Sequence, residues 1–283
     1  MKNILLPTDF STNAWNALFM ASKLFAQKKC VFYVMHVFEP NAQNLMGIKS
    51  SVRAGDAYEA LSSNSQKELD KIITYAKDNL SNENHQYKIL SLQGDLSVNI
   101  KAMIAKYDID MIVMGTKGAT GARGVFMGSN TVRVIKTIKN TPLLAVPEDF
   151  DFKALKSLVF PTEFAHFFPK GVLAPLLELV RLWQTEIKIF HVAQEFKLND
   201  LQKANRDILK ARLKGFNFAF YKVDIKTTVA NAIQEFAEEQ KADMIVLTNY
   251  SHTFFEKLTQ EPVVKKVGFK TNIPLLVLPD FEG

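Results

Sequence analysis

The amino-acid sequence predicts an α/β protein made of two tandem copies of one doubly wound unit, each with a five-stranded parallel sheet. Three observations lead to this prediction. The chain has 283 residues, about twice the roughly 150 residues of an average domain. Four short blocks of sequence occur twice in the same order. Segments of helical periodicity alternate with these blocks, and such alternation favours parallel strands with helices on both faces of the sheet.

The repeated blocks are rich in aliphatic and β-branched residues, as strands buried on both faces are. The matched pairs are 4–10 with 158–164, 32–37 with 186–192, 110–114 with 243–247, and 141–147 with 273–279. We therefore predict one domain over residues 1–150 and a second over residues 151–283.

Helices are predicted between the strands of the first copy. Ser11 is a candidate N-cap for a helix that runs to about Gln27. Further helices are predicted over 61–79, 98–107 and 129–139, and the second copy shows the same order of elements.

The two copies differ in length at one place. Val37 and Asp110 are 73 positions apart, whereas Val192 and Asp243 are 51 apart. The second copy thus lacks about 22 residues that correspond to 38–60, a polar segment containing Pro40, Gly47 and Gly55. We predict a long loop there, of the kind that forms lids or partner surfaces.

Composition excludes a disordered chain, a collagen-like chain, a disulfide scaffold and a membrane-spanning protein. The residues are 47% hydrophobic and 23% charged, which is typical of globular proteins, and the apolar runs are far shorter than the roughly 18 residues that span a membrane. A single cysteine, Cys30, cannot form an internal disulfide, so a cytoplasmic location is expected. The net charge of +6 is spread over both halves without a polybasic run, which disfavours nucleic acid as a partner.

A glycine-rich segment follows the fourth predicted strand. Five of the 12 glycines lie within residues 115–128, directly before a helix that starts near Ser129. Glycine lets the backbone approach phosphate oxygens, and a helix N-terminus directs free N–H groups at an anion. Because ligands of doubly wound sheets bind at the carboxyl ends of the strands, we predict a phosphate site here. The spacing fits neither a P-loop nor the Gly-x-Gly-x-x-Gly fingerprint.

The spacing does fit another signature. Gly115, Gly118, Gly128 and Ser129 follow the pattern Gly-x2-Gly-x9-Gly-Ser/Thr, and the chain opens with Pro-Thr-Asp-Phe-Ser at residues 7–11. In these features the chain resembles a tandem universal stress protein of the UspA type. The resemblance implies a Rossmann-like fold of the adenine nucleotide alpha hydrolase type, with strand order 3-2-1-4-5. It also implies a pseudo-dimer within one chain, with residues 143–146 beside 275–278.

The resemblance further implies that the first copy binds ATP or another adenine nucleotide, with magnesium or manganese beside the phosphates. Asp9 would accept hydrogen bonds from the ribose hydroxyls, and the backbone of Val37 would bind the adenine edge. The base pocket would be lined by Pro7 and Thr8. The ribose and phosphates would be held by Met114, Gly115, Gly118, Gly128, Ser129 and Asn130. Lys117 and Arg123 could add positive charge, although the motif does not specify them.

Two residues of the motif region also have structural interpretations. Asp9 would complement the dipole at the start of the helix near Ser11, and this is compatible with ribose binding. For His36 we favour a half-buried strand histidine over a catalytic role.

The second copy departs from the signature at nearly every position. Glu163 stands for Asp9, and Ala165 for Ser11. Thr248 and Ser251 occupy the positions of Gly115 and Gly118. The position of Gly128–Ser129 falls at about residues 261–262. We predict that this copy does not bind ATP in the manner of the family.

Phenylalanine is concentrated in the second copy, which holds 15 of the 22. Phe216, Phe218 and Phe220 alternate as on one strand face. Phe167–Phe168 and Phe254–Phe255 are expected near the rim of the lost pocket. These side chains would pack the core or, alternatively, form an apolar site for a ligand or partner.

The sequence contains little that points to catalysis. The five histidines lack metal-ligand spacing, a Gly-x-Ser-x-Gly elbow is missing, and Cys30 is expected to be a packed thiol. We therefore predict a protein that binds a nucleotide and, through it, an unidentified protein partner in stress response or signalling. Slow ATP hydrolysis and an interaction protein with an idle site are the alternatives, and self-association beyond the internal pseudo-dimer stays open.

Overall fold

The computed structural model describes residues 1–39, 51–117, 127–191, 198–222, 228–248 and 272–280, and of residues 51–54 it describes the backbone. The elements of the first half are β1 (Lys2–Pro7), α1 (Thr12–Leu24), β2 (Cys30–Phe38), α2 (Ser51–Asn79), β3 (His85–Gln93), α3 (Leu96–Tyr107), β4 (Met111–Gly115), α4 (Ser129–Thr137) and β5 (Leu143–Val146). Those of the second half are β6 (Ser157–Thr162), α5 (Lys170–Trp183), β7 (Glu186–His191), α6 (Asp200–Arg212), β8 (Phe218–Lys222), α7 (Val229–Glu239), β9 (Met244–Thr248) and β10 (Leu275–Leu278).

The strands form one sheet in the order β3-β2-β1-β4-β5-β10-β9-β6-β7-β8. All recorded pairs within each half are parallel. The halves meet where β5 and β10 pair antiparallel, with Leu276 opposite Leu144. The predicted fold class, the strand order 3-2-1-4-5 and the pairing of the last strands are therefore confirmed. The boundary predicted between residues 150 and 151 falls between β5 and β6 and stays a prediction.

Two apolar layers cover the sheet, one on each face. One layer contains side chains from α1, α2, α5 and α6, and the other contains side chains from α3, α4 and α7. Each layer includes residues of both halves, so the core continues across the β5–β10 joint. This is the doubly wound arrangement that alternating strands and helices predict.

An aspartate fixes the start of the first strand in each half. The Asp110 carboxylate accepts a hydrogen bond from Asn3 N at 2.7 Å. In the second half, the Asp243 carboxylate accepts from Lys156 N at 2.8 Å and Ser157 N at 3.0 Å. The aspartate that opens each repeated Asp-Met-Ile-Val block therefore bonds the neighbouring strand.

Polar contacts add to the joint between the halves. Trp183 Nε1 donates to Leu24 O at 2.9 Å, and the Lys2 ammonium lies 2.6 Å from the Glu178 carboxylate. Both contacts link the first helix or strand of one half to α5 of the other, beside the continuous apolar layer.

One helix differs from its predicted extent. α2 begins at Ser51, so residues 51–60, predicted as part of a long loop, are helical. A Cβ on Gly55 would meet nothing within 4 Å, so packing does not require glycine there, and one glycine costs a helix only about 1 kcal/mol. The remainder of that predicted loop, 40–50, lies outside the described residues.

The other helices lie close to their predicted positions. Ser11 caps α1 as expected. The helix ends at Leu24, whereas the sequence predicted an end at about Gln27. The fourth helix predicted for the second half falls outside the described residues. None of the helices in the described part of the chain is long and apolar enough to cross a membrane.

The joint between the halves predicts the effect of a single substitution. Leu276 is 0% exposed at the β5–β10 pair, so Leu276→Ala should lower the free energy of unfolding by about 2–5 kcal/mol. Leu201 on α6 is 64% exposed, and Leu201→Ala should change it by less than about 0.5 kcal/mol. Urea denaturation followed by circular dichroism compares the two, and equal midpoints would contradict the packing described.

Candidate functional site

A cavity of about 490 Å³ lies at the carboxyl ends of β1, β2 and β4, within the size range of small-molecule sites. Ten of the twelve predicted site residues line it: Pro7, Thr8, Asp9, Val37, Met114, Gly115, Lys117, Gly128, Ser129 and Asn130. Gly118 and Arg123 lie outside the described residues. The fold thus brings separate parts of the sequence together, and nucleotide binding by these residues stays a prediction.

A tight turn after β1 positions Asp9. Thr8 N donates to Met35 O at 2.8 Å, which continues the strand. The Thr8 hydroxyl then accepts from Phe10 N at 3.0 Å, and Phe10 adopts the left-handed region with φ 65°. The turn leaves the Asp9 side chain exposed at the cavity.

The Asp9 carboxylate also contacts the start of α1. Its Oδ1 accepts from Ser11 N at 3.1 Å and from Ser11 Oγ at 2.6 Å. The Ser11 hydroxyl oxygen in turn accepts from Ala14 N at 3.3 Å, as an N-cap does. Asp9 therefore supports the helix start, and its place in the cavity is compatible with ribose binding as well.

The backbone of Val37 is directed to the cavity side of β2. In a parallel strand, alternate residues bond to opposite neighbours. Met35 O bonds to Thr8 beyond β1, whereas Phe38 O accepts from Gly94 N beyond β3 at 3.0 Å. Val37 lies two residues after Met35, so its N–H and C=O point to the β1 side, past the last β1–β2 pair.

Asn13, which the sequence did not indicate, bonds two segments next to the cavity. Its side chain is 2% exposed, donates to Val146 O at 2.8 Å and accepts from Lys117 N at 2.6 Å. A Cβ on Gly115 would lie 2.7 Å from the Asn13 side chain. Gly115 is therefore required for the close approach of α1 to β4, in addition to any contact with a ligand.

The N-terminus of α4 faces the same cavity. Gly128 is its N-cap and has no side-chain capping bond, while Gly128 N donates to Thr116 O at 2.6 Å. Ser129 and Asn130 are the first helical residues, and the N–H groups of a first turn have no partner within the helix. This end of the cavity is suited to an anion.

An ion pair that the sequence did not indicate crosses from α4 to α3. Asp95 caps α3, accepting from Val98 N at 3.0 Å, and its other oxygen accepts from Arg133 at 3.0 Å. The backbone hydrogen bond from Val98, together with the Arg133 charge, lowers the pKa of the Asp95 carboxyl below its ordinary value. Both side chains line the cavity.

His36 is half-buried in β2, as expected. Its Nδ1 lies 2.8 Å from Ser65 Oγ, which lies 2.7 Å from Ser91 Oγ. Burial lowers the pKa of the His36 imidazole, although the charge of Asp9 opposes this. Cys30 is 1% exposed, and burial raises the pKa of its thiol to about 11, so the thiol is a packed, protonated group.

The second half keeps the turn but fills the space around it. Phe164 repeats the left-handed conformation of Phe10, with φ 53°, and its N–H also donates to a threonine hydroxyl, that of Thr162. Phe164 is 2% exposed. Its ring stacks on the His191 ring with 5.6 Å between the ring centroids, and its centroid lies 6.1 Å from that of the Phe220 ring. Phe168 is 2% exposed, whereas Phe167 and Phe220 are 41% and 39% exposed.

Of the three phenylalanines predicted to alternate on one strand face, one lies outside the strand. Phe216 precedes β8 and packs against the core, while Phe218 and Phe220 lie on the strand. Ser251, Phe254–Phe255 and residues 261–262 lie outside the described residues. The prediction that this half does not bind ATP is therefore untested.

Comparison with known proteins bears on the half that holds the cavity. The model of the universal stress protein family matches residues 1–147, which is more than half of the chain. The chain belongs to the universal stress protein family. The ten predicted site residues that line the cavity all lie in this matched half.

Three known proteins match this chain along nearly its whole length. A universal stress protein from Synechocystis is 25% identical over an alignment of 296 positions, which covers 98% of this chain and 99% of its own. The crystal structure of a universal stress protein from Archaeoglobus fulgidus covers 98% of both chains with a TM-score of 0.67 and 18% identity. A functionally unknown protein from Pseudomonas aeruginosa covers 100% of this chain and 94% of its own, with a TM-score of 0.61 and 11% identity. These structures share the fold.

The contact between Gly115 and Asn13 can be tested with a matched pair of glycines. Gly115→Ala should lower the free energy of unfolding by about 1–3 kcal/mol, because the new Cβ displaces Asn13. Gly55→Ala, at a helical position with open space, should raise it by about 0.5–1 kcal/mol. Urea denaturation of both variants measures the difference. Stabilisation by both alanines would show that the close approach is absent.

The pKa of His36 predicts a pH dependence of stability. Burial lowers the pKa of His36 in the folded protein below the ordinary 6.5. Below about pH 6.5 the unfolded chain therefore binds more protons than the folded one, and the free energy of unfolding decreases as the pH is lowered. His36→Gln keeps a polar partner for Ser65 and does not titrate. Its urea midpoint should therefore fall less than that of the unsubstituted protein between about pH 7.5 and pH 5.5. An equal fall in both proteins would refute the assignment, since other groups that titrate are common to both.

Proposed function

We propose that residues 1–150 bind ATP or a closely related adenine nucleotide, and that occupancy of this site alters the binding of a protein partner in stress response or signalling. The observation that carries the proposal is the convergence of ten of the twelve predicted site residues on one cavity. That cavity lies where ligands of doubly wound sheets bind.

The two ends of the cavity differ in chemistry. At the β1–β2 end, Pro7 and Met114 are buried and Val37 presents backbone groups, which suits a flat heterocyclic base. At the other end, the first turn of α4 presents free N–H groups, which suits phosphates. The exposed Asp9 carboxylate lines the same cavity, as an acceptor for ribose hydroxyls would.

A divalent metal would be held mainly by the phosphates. Among the described residues, no group of three or more His, Cys, Asp or Glu side chains could hold a metal ion. Magnesium commonly binds through substrate phosphates with few protein ligands, and the Ser129 hydroxyl is a candidate protein ligand at the start of α4. The metal would supply positive charge that offsets the phosphates.

Asp9 and Glu163 provide a matched pair of substitutions. Asp9→Asn keeps an oxygen acceptor for Ser11 but loses the charge, so the Kd for ATP should rise about tenfold. The Kd for 2′,3′-dideoxy-ATP should be the same for Asp9→Asn and the unsubstituted protein, because this nucleotide lacks the ribose hydroxyls that Asp9 would bind. Glu163→Gln, at the equivalent position of the second half, should leave ATP binding unchanged. Isothermal titration calorimetry measures all three.

Three outcomes would change the proposal. Absence of ATP binding by the unsubstituted protein would refute it. An unchanged Kd for ATP in Asp9→Asn would refute the ribose contact. Release of inorganic phosphate over many turnovers would favour the alternative of a slow ATPase.

A further inference from the structure

Arg133 is a cation at the cavity that the family signature does not include. It lies on the second turn of α4, five residues after the N-cap Gly128. One guanidinium nitrogen donates to Asp95 Oδ2 at 3.0 Å, and the other donates to Asn130 Oδ1 at 3.4 Å. The side chain therefore reaches back towards the helix N-terminus, where the phosphates of a nucleotide would lie.

The contact with Asp95 is one that Arg133 can exchange at little cost. The two side chains are 46% and 42% exposed, and ion pairs this exposed contribute little stability. Asp95 does not depend on Arg133 for its position, because its Oδ1 also accepts from Val98 N at 3.0 Å. The carboxylate would remain the cap of α3 if the guanidinium moved away.

The charges around the cavity favour such a move when an anion enters. The described lining contains the carboxylates Asp9, Glu39 and Asp95, and the cations Lys117 and Arg133. A triphosphate adds several negative charges to a lining in which acids already outnumber bases. A guanidinium forms short, paired hydrogen bonds with phosphate oxygens, and Arg133 is already within one helical turn of Asn130.

We propose that Arg133 binds the phosphate chain of the nucleotide, and that Asp95 holds the guanidinium in place until the nucleotide arrives. This inference rests on the proposed nucleotide site. It adds a residue that discriminates ligands by their number of phosphates, so that Arg133 favours ATP over AMP and contributes nothing to the binding of adenosine.

The two partners of the ion pair should have opposite effects on affinity. Arg133→Gln should weaken ATP binding about tenfold or more and adenosine binding by less than about twofold. Asp95→Asn keeps a good N-cap but removes both the competing partner and a repelling charge. It should therefore strengthen ATP binding, by about two- to fivefold.

The measurement is the Kd for ATP, ADP, AMP and adenosine, obtained by calorimetry on the full chain at one salt concentration. Lys136→Gln is the matched control, since Lys136 is an exposed residue of the same helix that does not line the cavity. It removes the same charge and should leave all four values unchanged.

The outcomes separate this inference from the proposed function. If Asp95→Asn weakens ATP binding as Arg133→Gln does, the ion pair is structural and the inference is overturned. The inference is also overturned if Arg133→Gln weakens ATP and adenosine binding equally. If the unsubstituted protein binds none of the four ligands, the proposed function itself fails, and the inference fails with it.

Discussion

The candidate site depends on one close contact, between the buried side chain of Asn13 and Gly115. Asn13 bonds the end of β5 through Val146 O and the backbone just after β4 through Lys117 N. These bonds require the start of α1 to lie so near β4 that a Cβ at residue 115 would overlap the amide. A buried amide with both ends bonded fixes the geometry of its neighbours. Three segments far apart in the sequence are therefore fixed to one another beside Gly115 and Lys117, which line the cavity.

The joint between the halves places a different constraint on the molecule. β5 and β10 would each be the open edge of a five-stranded sheet, and an unpaired edge can pair with other chains. Pairing them antiparallel removes both edges at once, and the apolar layers then continue from one half to the other. The outer edges are β3 and β8, whose residues are all partly or fully exposed. The duplication thus supplies the partner strand within the chain.

The sequence predicted the fold well because its signals are local or repeated. Periodicity, the Ser11 cap and the repeated blocks each depend on neighbouring residues or on internal comparison. The predicted site residues were found through a spaced motif, and the parallel topology alone explains why their segments meet at one edge. Asn13 and Arg133 could not be found in this way. Each is a polar residue in a helical segment, and its role comes from partners 133 and 38 positions away.

The same long-range contacts explain why the second half departs from the motif at several positions together. In the second half, Thr248 occupies the position equivalent to Gly115. Its Cβ would prevent a helix from approaching this strand as closely as Asn13 approaches Gly115 in the first half. With alanine at 165 in place of the Ser11 cap, the helix has lost its capping side chain, and α5 begins only at Lys170, after Pro169, which makes no side-chain capping bond. The buried Phe164 and Phe168 rings occupy the region next to this altered start. In the first half, Ser11 caps α1 and the first turn of α1 carries Asn13 against Gly115, so a change in any one of the three alters the packing of the others.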